Sequence, residues 1–107
     1  MCLFKKQNKQ EQTRILANRK YRYLTTNYKL STQGHELYKT ELIISLVHSS
    51  GQFELHIFDS SNNEVFSLIN PETNQYIFAL KPNEKYLINI KSKSAIGSYK
   101  IEKKIYK

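Results

Sequence analysis

Between Gly51 and Ile105, apolar residues recur at every second position of the chain. The pattern covers four segments: Phe53, Leu55 and Ile57; Tyr76, Phe78 and Leu80; Tyr86, Ile88 and Ile90; Tyr99 and Ile101. In a β-strand alternate side chains point to opposite faces, so a period of two indicates strands with one buried face. The chain is therefore predicted to be an all-β protein.

Turn residues separate these segments. Asp, Ser and Asn at positions 59–63 can hydrogen-bond neighbouring backbone amides, and Pro82 fixes the φ angle at the second position of a turn. Another alternating strand is predicted over 38–48, and residues 49–51 and 95–97 are interpreted as breaks between strands. About seven strands, with turn signals roughly every 8–12 residues, are typical of an antiparallel β-sandwich of the jelly-roll or immunoglobulin-like kind.

The start of the chain has a different composition. Residues 5–19 are polar except for three adjacent apolar residues, and adjacent residues do not form the stripe of an amphipathic helix. We interpret residues 1–19 as a flexible basic arm or tether and residues 20–107 as the sandwich domain. A chain of 107 residues is long enough for one such core.

The net charge of +8 is unevenly distributed along the chain. Residues 1–30 carry eight Lys and Arg residues against one Glu, and residues 81–107 carry eight Lys against two Glu. Residues 31–80 carry one Lys against six acidic residues. This asymmetry is unlike a uniformly basic nucleic-acid-binding domain.

Two sets of cations are candidate binding residues. The first set could contact a polyanion and consists of Lys5, Lys6, Lys9, Arg14, Arg19, Lys20 and Arg22. Its partner could be nucleic acid, an anionic membrane surface or an anionic wall polymer, and a solvated tail without a partner is the plain alternative. The second set is predicted to form one basic face on the last two strands, and consists of Lys85, Lys91, Lys100 and Lys104. Such a face could bind a glycan or a protein, or could merely protect an edge strand from aggregation.

No motif in the sequence points to catalysis. A Gly-x-Ser-x-Gly sequence and a glycine-rich phosphate loop are both absent. The three histidines have no carboxylate or nucleophile at a recognisable spacing, and no acidic calcium loop is present. We therefore expect no catalytic residue, no metal site and no cofactor, and interpret the histidines as structural or surface residues.

The sequence leaves the location of the protein open. It contains no apolar run long enough to span a membrane. Lys5 and Lys6 directly follow Leu3 and Phe4, so the chain does not open with an intact signal peptide. Either the protein is cytoplasmic, or the chain begins after a removed export segment. In the second case Cys2 could be the lipid-bearing cysteine of an exported lipoprotein, and the polar residues after it a tether.

The segments FELHIFDSSNNEV and YIFALKPNEKYLINIKSKSAIGSYKI resemble the second half of bacterial pre-peptidase C-terminal domains. The matching positions are Asp59, Ser60, Asn62, Tyr76, Leu80, Pro82, Tyr86, Ile88, Ile90, Gly97, Ser98, Tyr99 and Ile101. The chain departs from the family pattern in two places. Asn83 stands where the family usually has a turn glycine. The family's Asp-x-Asp pair, which precedes the Asp-Ser turn, is absent, and Glu54 and His56 stand near its place, so calcium binding is not expected.

Domains of this family are small β-sandwiches attached to secreted proteases or carried by other exported proteins. The resemblance implies a non-catalytic, extracytoplasmic binding or accessory module at the cell surface. The alternative, based on the charge of the first residues, is a small cytosolic protein whose basic arm binds nucleic acid.

Overall fold

The computed structural model describes residues 11–34 and 38–106. This part of the chain forms six strands: β1 (Glu11–Tyr21), β2 (Leu24–Ser31), β3 (Lys39–Phe58), β4 (Glu64–Ile69), β5 (Asn74–Leu80) and β6 (Lys85–Tyr106). All strand pairs are antiparallel. The prediction of an all-β protein is confirmed. The described residues contain no helix that is long and apolar enough to cross a membrane.

The two long strands β3 and β6 pair along nearly their whole length and form the centre of the fold. Layer A consists of β1, the C-terminal half of β6, the N-terminal half of β3, and β5. Layer B consists of β2, the N-terminal half of β6, the C-terminal half of β3, and β4. With the halves of β3 and β6 counted as separate strands, this is the arrangement of an eight-stranded jelly roll.

The predicted breaks at 49–51 and 95–97 are wrong, because β3 and β6 continue through them. Two register shifts between His48 and Gln52 bend β3 at this point, and Gly51 adopts a φ of 85°. Buried positions of β3 are even-numbered before the bend and odd-numbered after it. Because bulges change the parity, both halves of one strand can turn their apolar side chains into the same interior.

The core is made of fully buried side chains from both layers, which include Leu42, Ile44, Leu55, Ile57, Ile88, Ile90, Tyr99 and Ile101. Aromatic contacts join the layers. The rings of Phe66 in layer B and Phe78 in layer A lie 5.2 Å apart. The hydroxyl groups of Tyr28 in layer B and Tyr99 in layer A are 2.7 Å apart. The two layers therefore face each other as a sandwich.

The interpretation of residues 11–19 as a flexible arm is wrong. These residues belong to β1, which pairs with β6 in layer A, so the expected boundary after residue 19 lies inside a strand. A bulge at Leu16 explains the three adjacent apolar residues: Ile15 is exposed, Leu16 packs against the core, and Ala17 is buried. Residues 1–10 lie outside the described part of the chain.

Two glycines with the same backbone conformation provide a test of the bend. Gly34 and Gly51 have φ angles of 84° and 85°. An added Cβ would meet nothing within 4 Å at Gly34, but would collide with the Ser94 carbonyl oxygen at Gly51. We expect Gly34→Ala to lower the free energy of unfolding by about 1 kcal/mol, and Gly51→Ala by about 3 kcal/mol. Urea denaturation of both variants measures the difference, and equal losses would contradict a tight bend at Gly51.

Candidate functional site

The outer face of layer B carries a continuous set of polar side chains. Alternate residues of its strands point away from the core, and the strand register aligns them in rows. One row contains Asn27, Asn89 and His56, and the next row contains Thr25, Lys91 and Glu54. The Asn89 side-chain amide donates a hydrogen bond of 2.7 Å to the Asn27 side-chain oxygen.

Two grooves lie on layer B on either side of this asparagine pair. The first has a volume of about 470 Å³ and is lined by Tyr23, Leu24, Thr25, Gln52, Glu54, Lys91, Ser92 and Lys93. The second has a volume of about 520 Å³ and is lined by Lys29, Leu30, Ser31, Asp59, Ser60, Lys85, Tyr86 and Leu87. Since Lys85 and Lys91 are six residues apart on one strand, the grooves are separated by about 20 Å.

Each groove contains two exposed lysines. Lys91 and Lys93 line the first groove, and Lys29 and Lys85 line the second. Among the described residues, none of these four ammonium groups has a carboxylate within ion-pair distance. They are therefore available to an anionic ligand.

His56 lies on the same face between two carboxylates. Its Nε2 is 3.0 Å from Glu54 Oε1, and its Nδ1 is 2.7 Å from Glu64 Oε1. The hydrogen bond to Glu54, helped by the bond and charge of Glu64, raises the pKa of His56 above its ordinary value, although burial acts in the opposite direction. Both ring nitrogens are occupied, so the geometry agrees with the interpretation of His56 as a structural residue.

The sequence pattern alone does not bring Glu54, His56 and Glu64 together. Glu54 and His56 are two residues apart on a strand, and this spacing puts their side chains on one face. Glu64 belongs to β4, and its position depends on the register shift between β3 and β4 beside Phe58. That register could not be obtained from spacing alone. The described residues contain no group of three or more side chains arranged to hold a metal ion.

The predicted single basic face of Lys85, Lys91, Lys100 and Lys104 is wrong. Lys85 and Lys91 are on layer B, whereas Lys100 and Lys104 are in the half of β6 that belongs to layer A. Because β6 bends between the two pairs, they lie on opposite outer faces of the sandwich. Lys100 also pairs with Glu102 at 3.7 Å.

Four of the residues predicted to contact a polyanion lie in the described part of the chain, on or directly after strand β1 of the sandwich. Arg14, Arg19 and Lys20 belong to β1, and Arg22 follows it directly. Arg14 lies opposite Lys103 in the register of β1 and β6. Lys103 is buried and donates from Nζ to the Ser31 carbonyl oxygen at 3.2 Å. Burial, together with the charge of Arg14, lowers the pKa of Lys103. Lys5, Lys6, Lys9 and the lipidation candidate Cys2 lie outside the described residues.

Known structures share the fold of this chain, but no family model and no curated protein sequence matches it. One similar structure comes from Bacillus endospore appendages, which form a novel family of disulfide-linked pili. The TM-score is 0.56 at 6% identity, and the match covers 99% of this chain and 96% of that one. Another is PliG of Aeromonas hydrophila, a periplasmic inhibitor of g-type lysozyme, with a TM-score of 0.47, 16% identity, and coverage of 92% and 84%.

The first of these similarities shows a common all-β fold. The resemblance of residues 53–65 and 76–101 to pre-peptidase C-terminal domains stays a prediction.

The His56 cluster makes stability depend on pH. Because the folded-state pKa is raised, the cluster stabilises the fold fully below the unfolded pKa of about 6.5, and this contribution is lost as the pH rises through the folded-state pKa. We expect the loss of stability between about pH 6 and pH 9 to be smaller in Glu64→Gln than in the wild type. Urea denaturation at pH 6 and pH 9 measures the free energy of unfolding of each protein. Glu72→Gln, an exposed carboxylate away from His56, is the control, and equal pH dependence in all three proteins would contradict the assignment.

Proposed function

We propose that this protein is a non-catalytic, extracytoplasmic module that binds an anionic cell-surface polymer along the outer face of layer B. The observation that carries the proposal is the pair of lysine-lined grooves on one face. All four lysines lack an ion-pair partner among the described residues. Neutralisation of a polymer's charges by lysines releases its counterions, which favours binding.

The distance between the grooves argues for an extended ligand. A ligand that reaches both lysine pairs must span about 20 Å along β6. A single small anion can occupy only one groove. Between the grooves, the amide groups of Asn27 and Asn89 keep a free donor and a free acceptor after their mutual hydrogen bond. These groups suit the hydroxyl groups of a sugar or polyol, so we infer an anionic wall glycan or polyol phosphate.

Two considerations support a location outside the cytoplasm. The sequence resembles pre-peptidase C-terminal domains, which occur on exported proteins. The jelly-roll fold is also similar to that of a protein from Bacillus endospore appendages. A lipid anchor on Cys2 would hold such a module at the envelope, with the lysine-lined face directed to polymers around it.

Two matched double variants test the binding face. Lys85→Gln with Lys91→Gln removes two charges from layer B, and Lys100→Gln with Lys104→Gln removes two from the opposite side. Each lysine near an anionic surface contributes about 1 kcal/mol, so the first variant should bind purified wall teichoic acid roughly tenfold to thirtyfold more weakly. The second should bind like the wild type. Titration calorimetry at low salt measures both affinities.

Equal losses in the two double variants would mean that net charge matters and the face does not. A thymidine oligonucleotide serves as the competing probe. Preferential binding of the oligonucleotide over teichoic acid would contradict the wall-polymer proposal and favour the nucleic-acid alternative.

The location is tested by the mass of the native N-terminus together with cell fractionation. We expect the protein in the envelope fraction, with either a lipid-modified Cys2 or an N-terminus created by cleavage of a precursor. An unmodified N-terminus on a protein found only in the cytosol would overturn the extracytoplasmic part of the proposal.

A further inference from the structure

Charges are separated across the width of the sandwich. Residues 40–80, which form nearly all of β3 and the whole of β4 and β5, contain five carboxylates and no Lys or Arg. β1, β2 and β6 carry most of the cations. In both layers β6 neighbours β3, so the boundary between basic and acidic strands runs down the middle of each layer. One side of the molecule is basic and the opposite side is acidic.

The two edges of layer A differ in charge. β1 is one edge and carries Arg14, Arg19 and Lys20. β5 is the other edge and contains no charged residue and no proline. Edge strands are usually protected from pairing with another chain by charges, above all by lysine. Among the described residues β5 pairs only with β3, so no other described strand occupies its outer backbone groups.

An exposed apolar residue lies at each of these edges. Ile15 on β1 is 56% exposed, and Ile77 on β5 is 55% exposed. The strand register connects the two isoleucines. One row across layer A runs from Ile15 on β1 through Glu102 on β6 and Ile43 on β3 to Ile77 on β5. The two exposed isoleucines therefore lie at opposite ends of this row. A second copy placed beside the first in the same orientation would bring its Ile15 next to Ile77.

We propose that copies of this chain associate head to tail, with β1 of one copy pairing in antiparallel fashion with β5 of the next. Strand directions in layer A alternate from β1 to β5, so a copy added in the same orientation gives an antiparallel pair. The interaction is heterologous and leaves a free edge at each end, so it can continue into a chain of copies. It uses the edges of layer A and does not rest on ligand binding by layer B.

Charge complementarity selects this partner. In the register of layer A, Asn74 on β5 is level with Arg19 on β1. Glu72 lies two residues before Asn74 and thus meets the neighbourhood of Lys20 and Arg22 in the second copy. Glu72 is exposed and has no ion pair with another described residue. A pairing of β1 with β1 would instead oppose like charges, which is unfavourable.

The first experiment compares Ile77→Lys with Val47→Lys by sedimentation velocity over a range of concentrations. Val47 is 53% exposed and lies on β3, an inner strand of the same layer, so it is the matched control. We expect the average mass of the wild type and of Val47→Lys to rise with concentration beyond that of a dimer. Ile77→Lys should remain a monomer, because the apolar contact with Ile15 of the next copy is lost and the new lysine would face the cations of that copy's β1. Circular dichroism establishes that both variants are folded.

The second experiment exchanges the charges. Glu72→Lys alone and the double variant Lys20→Glu with Arg22→Glu should each associate at least tenfold more weakly than the wild type. An equimolar mixture should recover association, because the lysine introduced into one chain then faces the carboxylates introduced into the other. A wild type that stays monomeric, an association that ends at the dimer, equal behaviour of the two lysine variants, or a mixture without recovery would each overturn the proposal.

Discussion

The pairing of β3 with β6 is the interaction on which the rest of the structure depends. Each of the other four strands pairs with one half of one of these two strands. Both long strands bend near Gly51 and Ser94, where positive φ angles and register shifts occur on facing residues. Since the bend changes which alternate positions point inward, it creates two layers and one core from a single continuous pair of strands.

The same pairing determines where charges can lie. β6 contains six lysines, whereas β3 contains two carboxylates and one lysine. The register places Lys91 opposite Glu54 and Lys104 opposite Glu41. Facing positions of opposite charge favour the pairing of two strands even where, as with Lys91 and Glu54, the side chains form no ion pair. The outer strands continue the separation of basic from acidic residues, with cations on β1 and β2 and carboxylates on and beside β4. The electrical asymmetry of the molecule is thus a consequence of strand order.

Part of this structure could be predicted from the sequence. The apolar alternation of β5 and of both halves of β6 correctly indicated strands, because one face of each strand is buried. The bends could not be distinguished from ordinary turns, since the Ser-Ser-Gly sequence at 49–51 suits both. β1 was missed because its bulge places apolar residues side by side. The basic face was assigned wrongly for a related reason, since spacing along β6 does not show that its halves lie on opposite sides.

The arrangement of surfaces joins the two proposed roles. Addition of strands at the edges of layer A uses backbone groups and side chains of β1 and β5, whereas the lysine-lined grooves lie on the outer face of layer B. In a row of copies with the same orientation, the outer faces of layer B would all lie on the same side of the row. Binding of one face would then raise the effective concentration of the polymer at the next, so that weak contacts at single lysines add to strong attachment. A small domain with few binding residues gains most from such repetition.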